Sequence, residues 1–140
     1  MKIRNDLSLL KKVDSIFKNV DMKNVLIIAS QHILGTNLIL FKHLFNKGLK
    51  PKDSFLIGKC YSSHKGTIKK FRKIGVNVYP HIMEFDSHIS FDEQFDDKIK
   101  DFLIKIKNKV DFSKYRKIIL IDDGGYLIYW LIKCLKILIL

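Results

Sequence analysis

The chain has 140 residues, 47% of them hydrophobic and 29% charged. That is long enough to bury a core as one domain and too apolar for a disordered chain. Its formal charge of +12 points toward nucleic acid, but of 26 basic residues only Arg4, Arg72 and Arg116 are arginines. The bidentate fork that reads bases and grips phosphates belongs to arginine, so no specific nucleic acid partner is expected. A lysine-rich solvated surface, as an AT-rich codon bias produces, is the simpler reading. Weak, sequence-independent polyanion binding at low salt stays open.

Residues 6 to 20 read as an amphipathic helix, with Leu10, Val13, Phe17 and Val20 near helical spacing. Val25-Leu26-Ile27-Ile28-Ala29 is a short unbroken apolar run, the pattern of a strand buried on both faces. Leu34, Leu38, Phe41 and Phe45 return to helical spacing, and Gly48 suits the stop. Ser54 to Gly58 is a second strand after Pro51. Ser63 is placed to cap a helix carrying Ile68, Phe71 and Ile74, which Gly75 ends. Val76 to Tyr79 is a third strand closed by Pro80, and residues 81 to 90 form a polar loop. Ser90-Phe91-Asp92-Glu93 is a capping box, and the helix behind it buries Phe95, Ile99, Phe102 and Ile106. Lys117 to Ile121 is a fourth strand, and Tyr126 to Leu140 a last helix.

Strands that alternate with helices of this length predict an α/β fold: a single Rossmann-like domain with about four parallel strands in the order 3-2-1-4. The first and fourth strands then flank a topological switch point, where α/β sheets bind ligands. Three segments meet there. The first is Ser30-Gln31-His32. The second is Lys59 to Ser63, for which a plain turn and a binding role weigh about equally. The third is Asp122-Asp123-Gly124-Gly125. Two acids and two glycines directly after an apolar strand favour a site over a simple turn, because glycine lets the backbone turn sharply beside a ligand. His32, Ser62, Asp122 and Asp123 are the candidate ligand-binding residues.

Other signals are weaker. His81, Glu84, Asp86 and His88 do not have the spacing of a zinc site, and a solvated loop is the better reading, so no metal is expected. Neither G-x-G-x-x-G nor G-x-x-x-x-G-K-[ST] occurs, so no cofactor-binding fingerprint is present. Cys60 and Cys134 lack metal-ligand spacing, and residues 1 to 20 hold no apolar signal segment. Free thiols in a cytoplasmic protein are expected. Residues 126 to 140 are apolar nearly all round, yet shorter than the ~20 residues that span a bilayer and interrupted by Lys133 and Lys136. Packing on the sheet is expected, with membrane-surface contact or packing against further chain as the other options.

The run from Ser30 to Gly125 resembles the substrate-binding domain of adenosylhomocysteinase, the NAD-dependent S-adenosylhomocysteine hydrolase. Ile119-Leu120-Ile121-Asp122-Asp123-Gly124-Gly125 is similar to that family's Ile-Leu-Asp-Asp-Gly-Gly-Asp. Tyr61-Ser62-Ser63 is similar to its Phe-Ser-Thr, and Lys73 to Tyr79 to its Lys-Ala-Gly-Ile-Pro-Val-Tyr. His32, sixteen residues before Gly48, keeps the spacing of its His-Met-Thr-Val-Glu helix. The departures fall on nucleoside contacts. Leu34 and Thr36 stand where the family has Thr and Glu, Lys59 where it has Asn, and Tyr126 where it has Asp. The family's Glu-Glu-Thr-Thr-Thr-Gly segment, its catalytic Lys and Asp, and its NAD domain have no counterpart in these 140 residues.

The resemblance implies an organisation of N-terminal helix (1–24), adenosylhomocysteinase-like α/β domain (25–125) and apolar C-terminal helix or remnant of a truncated frame (126–140). It implies a truncated protein of one-carbon metabolism without catalysis of its own. NAD enters only if a separately encoded NAD-binding half supplies it, and a homo-oligomer through the apolar tail is the other partner expected. The alternative is a non-catalytic module that binds a partner or a membrane surface.

Overall fold

The computed structural model describes residues 8–138, with side chains described as far as Lys133. The order is α1 (Ser8–Ile16), β1 (Val25–Gln31), α2 (Gly35–Asn46), β2 (Ser54–Gly58), α3 (Lys65–Lys73), β3 (Asn77–Val78), α4 (Phe91–Lys109), β4 (Lys117–Asp122) and α5 (Tyr126–Leu138). Short 3-10 turns precede β2 and β4 and follow β2. The four strands form one all-parallel sheet in the order β3-β2-β1-β4. This is the α/β architecture that the alternating pattern predicts.

β1 is the centre of the molecule. Val25 to Ser30 are all buried, so helices must cover both faces of the sheet. α2 and α3 form one helical layer, where the Phe41 and Phe71 rings meet edge to face at 5.4 Å. α4 and α5 form another, joined by Tyr126 to Asp92 and by Trp130 Nε1 to Asp96. Ile28 aligns with Phe55 of β2 on one side and Leu120 of β4 on the other. That register brings the carboxyl ends of all three strands to the same level.

Local structure departs from expectation in three places. The first helix covers Ser8–Ile16, none of it buried, whereas a longer packed helix over 6–20 was expected; residues 6 and 7 lie outside the described residues. Val13, Phe17 and Val20 are all exposed. α1 packs on α2, where Asp14 meets His43 and, at 3.2 Å, Lys47. The cap of α3 is His64, whose side chain accepts from Thr67 N, and not Ser63. Ser63 donates instead to Lys59 O at 2.7 Å. β3 is only two residues long: Val76 N–H turns back to Phe71 O, closing α3, and the last contact with β2 is Tyr79 N donating to Leu56 O at 2.9 Å, just before Pro80. The Ser90 cap of α4 forms as expected: Ser90 Oγ accepts from Glu93 N at 3.2 Å and meets Glu93 Oε2 at 2.9 Å.

Candidate functional site

Three segments leave the sheet at its carboxyl end. β1 runs into His32, β2 into Lys59 and the turn Cys60–Ser62, and β4 into Asp123-Gly124-Gly125. β1 lies between β2 and β4, so the connections diverge there and open a crevice. The first two segments are locked together before any ligand is considered. His64 N donates to Ile33 O at 2.9 Å. A Cβ on Gly58 would lie 2.3 Å from Ser63 Oγ and 2.7 Å from Ile33 Cδ1, so only glycine fits there.

His32 joins all three. Its Nε2 is 2.7 Å from Asp123 Oδ2, and its Nδ1 meets Ser62 Oγ. The carboxylate accepts from Nε2, and the Ser62 hydroxyl occupies the other ring nitrogen, so both nitrogens of His32 are engaged. Asp123 is itself fixed by its backbone, because its N–H donates to Ser30 O at 3.0 Å. The Tyr61 ring stands edge-on to His32 at 6.0 Å and to Phe91 at 5.0 Å, forming a wall over the turn. The His32 and Asp123 side chains are 37% and 41% exposed, so a solute can reach them.

Of the four residues expected at this site, the fold brings His32, Ser62 and Asp123 into one hydrogen-bonded chain. Asp122 is not part of it. Its Oδ2 accepts from Ile128 N at 2.9 Å, within the first turn of α5. Successive strand residues point to opposite faces, so two adjacent acids at a strand end cannot both face one crevice. Asp122 therefore serves as a helix cap. Its Oδ1, like Ser30 Oγ in the aligned position of β1, is buried without a hydrogen-bond partner.

Lys59, a turn residue in the sequence pattern, belongs to the site. Its side chain is 8% exposed and its ammonium lies 3.5 Å from Asp123 Oδ2. Its one signal in the sequence is its place in the Lys59–Ser63 segment behind a buried strand; nothing local marks it out for burial among 23 lysines.

The loop that carries His81, Glu84, Asp86 and His88 lies elsewhere. His81 Nδ1 meets Glu84 Oε1 at 2.7 Å, and Asp86 Oδ1 accepts from His88 N. Among the described residues no group of three or more such side chains is placed to hold a metal. A cavity of about 370 Å³ lies at the β3 edge between Phe55, Val78, Tyr79, Phe102 and Ile106, and none of the crevice residues lines it. Its lining is mainly apolar, and of its polar members Asn77 already accepts from Lys109 Nζ at 2.6 Å. α5 packs through Leu127, while Ile128, Tyr129 and Ile132 stay exposed. No described helix is long and apolar enough to cross a membrane.

Two relatives are the uncharacterized proteins MT0113 and Rv0104 of Mycobacterium tuberculosis, strains CDC 1551 / Oshkosh and ATCC 25618 / H37Rv. Each is 33% identical to this chain over 118 residues, which is 83% of this chain and 23% of the relative. The chain thus spans about a quarter of the length of the curated relatives it matches. No family model matches the chain, and no solved structure matches it.

Proposed function

We propose that this chain is an adenosylhomocysteinase-like substrate-binding portion, which holds a nucleoside in the crevice and does not hydrolyse S-adenosylhomocysteine by itself. One observation carries the reading: His32, Ser62 and Asp123, each within a motif of the resemblance, meet in one hydrogen-bonded chain. A carboxylate, a hydroxyl and an imidazole with one face open can accept from and donate to the hydroxyls of a ribose.

The family's chemistry begins with oxidation of a ribose hydroxyl by NAD, and that step belongs to the cofactor. The residues here do not fit a dinucleotide. The β1–α2 turn reads Gln31-His32-Ile33-Leu34-Gly35, where glycines would have to admit a pyrophosphate. Ile33 is buried and fills that turn with apolar bulk. Positioning is therefore the chemistry assigned to this chain.

Calorimetric titration with adenosine tests the binding half. Saturable binding is expected, weakened at least ~10-fold in His32→Ala, because truncating a hydrogen-bonded group at a binding centre costs a kcal/mol or more. No saturable binding at millimolar adenosine would overturn it. The second half is tested by product release: neither adenosine nor homocysteine should appear, with or without NAD. Turnover that survives purification and disappears in Asp123→Ala would refute it.

A second reading rests on the outer face of α5, where Ile128, Tyr129 and Ile132 are 45%, 52% and 52% exposed. An apolar patch of this kind suits a partner or a membrane surface. Flotation with anionic vesicles, compared between the native chain and Ile132→Glu, tests the membrane form of it. Equal flotation of both proteins counts against that face.

A further inference from the structure

Lys59 leads beyond the nucleoside reading while resting on it. Its side chain is more than nine-tenths buried, and among the described residues its ammonium, which carries three donors, has one ion-pair partner, Asp123 at 3.5 Å. That partner is already shared, because His32 Nε2 holds the same Oδ2 at 2.7 Å. Asp123 alone therefore leaves donors of Lys59 to spare for a further partner in the crevice.

A second observation lies beside it. Gly124 and Gly125 both have positive φ, +108° and +80°, and lead into the 13-residue α5. The N–H groups of Gly124, Gly125, Tyr126 and Leu127 meet no acceptor among the described residues, whereas Asp123 N and Ile128 N do. A Cβ on Gly124 would lie 3.4 Å from Lys59 Nζ, so the bare glycine backbone and the ammonium border the same space. Opening N–H groups of a helix favour negative charge, and here a nearly buried cation with unspent donors adjoins them.

We infer that the crevice takes a ligand carrying an anionic oxygen group, a carboxylate or a phosphate, held by Lys59 Nζ and the N–H groups that open α5. His32, Ser62 and Asp123 then hold the hydroxyl-bearing part of the same molecule. Lys59 offsets the Asp123 carboxylate, and the N–H groups that open α5 face the added anion. Lys59 replaces the neutral Asn of the resembling family, so the site differs from that family's at the point where an anion would bind.

The experiment is calorimetric titration of the full chain with adenosine, adenosine 5′-monophosphate and the 5′-carboxylate of adenosine, with inorganic phosphate and acetate titrated alone. One anionic nucleoside should bind at least ~10-fold more tightly than adenosine, about 1.4 kcal/mol, and which one does so identifies the source of the charge. That advantage should fall to about onefold in Lys59→Met, and should shrink in Gly124→Ala, whose methyl group screens Nζ. Should Lys59→Met fail to fold, the shift of the native Lys59 Cε and Nζ resonances on adding the anionic nucleoside replaces it. Equal affinity for adenosine and both anions overturns this inference and leaves the nucleoside reading standing. Binding of phosphate or acetate that depends on Lys59, without adenosine binding, upholds the inference and overturns the nucleoside reading. No binding of any probe overturns both.

Discussion

The two ends of the sheet carry similar polar residues and use them in opposite ways. At the amino end, Tyr115 donates to buried Asp53 at 2.9 Å. Arg116 Nε donates to Lys23 O at 2.9 Å, its Nη2 to Asp21 O, and its backbone N–H to Asn24 O. These groups tie the starts of β1, β2 and β4 together and find their partners inside the chain. At the carboxyl end, the same kinds of group gather around Lys59 and the N–H groups that open α5, which have donors to spare. The amino-end ties serve as a structural joint, although Ser54 Oγ beside Asp53 is buried without a partner, and the carboxyl end, opened by glycines, is where the ligand is proposed to bind.

The comparison is sharpened by breaking each end in turn. Tyr115→Phe should have the largest effect on stability, about 1–3 kcal/mol in denaturant unfolding, because it leaves the buried Asp53 carboxylate without its donor. Adenosine affinity should stay unchanged, and a loss of affinity would mean that the two ends are coupled. Ser62→Ala should do the reverse: weaker adenosine binding, with stability moved by no more than about 1 kcal/mol, because the hydroxyl it removes meets only His32 among the described residues. A larger destabilisation would make the crevice a structural joint as well.

Asp122→Ala tests the division within the carboxyl end. Loss of the α5 cap should cost about 1 kcal/mol and leave ligand affinity intact. If Asp122→Ala abolished binding while Asp123→Ala did not, the two acids would have to exchange roles.

Much of this was legible in the sequence. The continuous apolar runs of β1 and β2, the Ser90 cap and the glycine stops at 48 and 75 mark the elements, and their alternation makes the sheet parallel; the order 3-2-1-4 is one of the orders that alternation allows, and the one observed. Position relative to a strand end was sufficient to expect His32, Ser62 and Asp123 at one end of the sheet, where the fold joins them. Two things were not legible. The face to which Asp122 points depends on where the β4 ladder ends, and a one-residue extension, to Asp122 instead of Ile121, decides which acid meets His32. Lys59 was hidden for a different reason. Among 23 lysines on a chain of this charge, nothing local distinguishes the one that the fold buries.

The alkaline limb of stability separates the two ends with the smallest perturbation. Burial and the hydrogen bond to Asp53 push the Tyr115 phenol up to about 12, from an ordinary value near 10. A group raised in the folded state contributes stability that is complete below its unfolded pKa and disappears as pH climbs to the folded value. The Tyr115 contribution should therefore hold up to about pH 10 and decline between about 10 and 12. Lysines begin to deprotonate in the same window, so the native curve alone is ambiguous. The informative quantity is the gap in unfolding free energy between the native chain and Tyr115→Phe. It should be constant from pH 7 to about 9.5 and close progressively above 10. Tyr126 is also raised to about 12, through its hydrogen bond to Asp92 on the α4–α5 side, and is the natural control. Tyr126→Phe should leave the Tyr115 gap untouched at every pH, because no hydrogen bond links Tyr126 to the amino-end network.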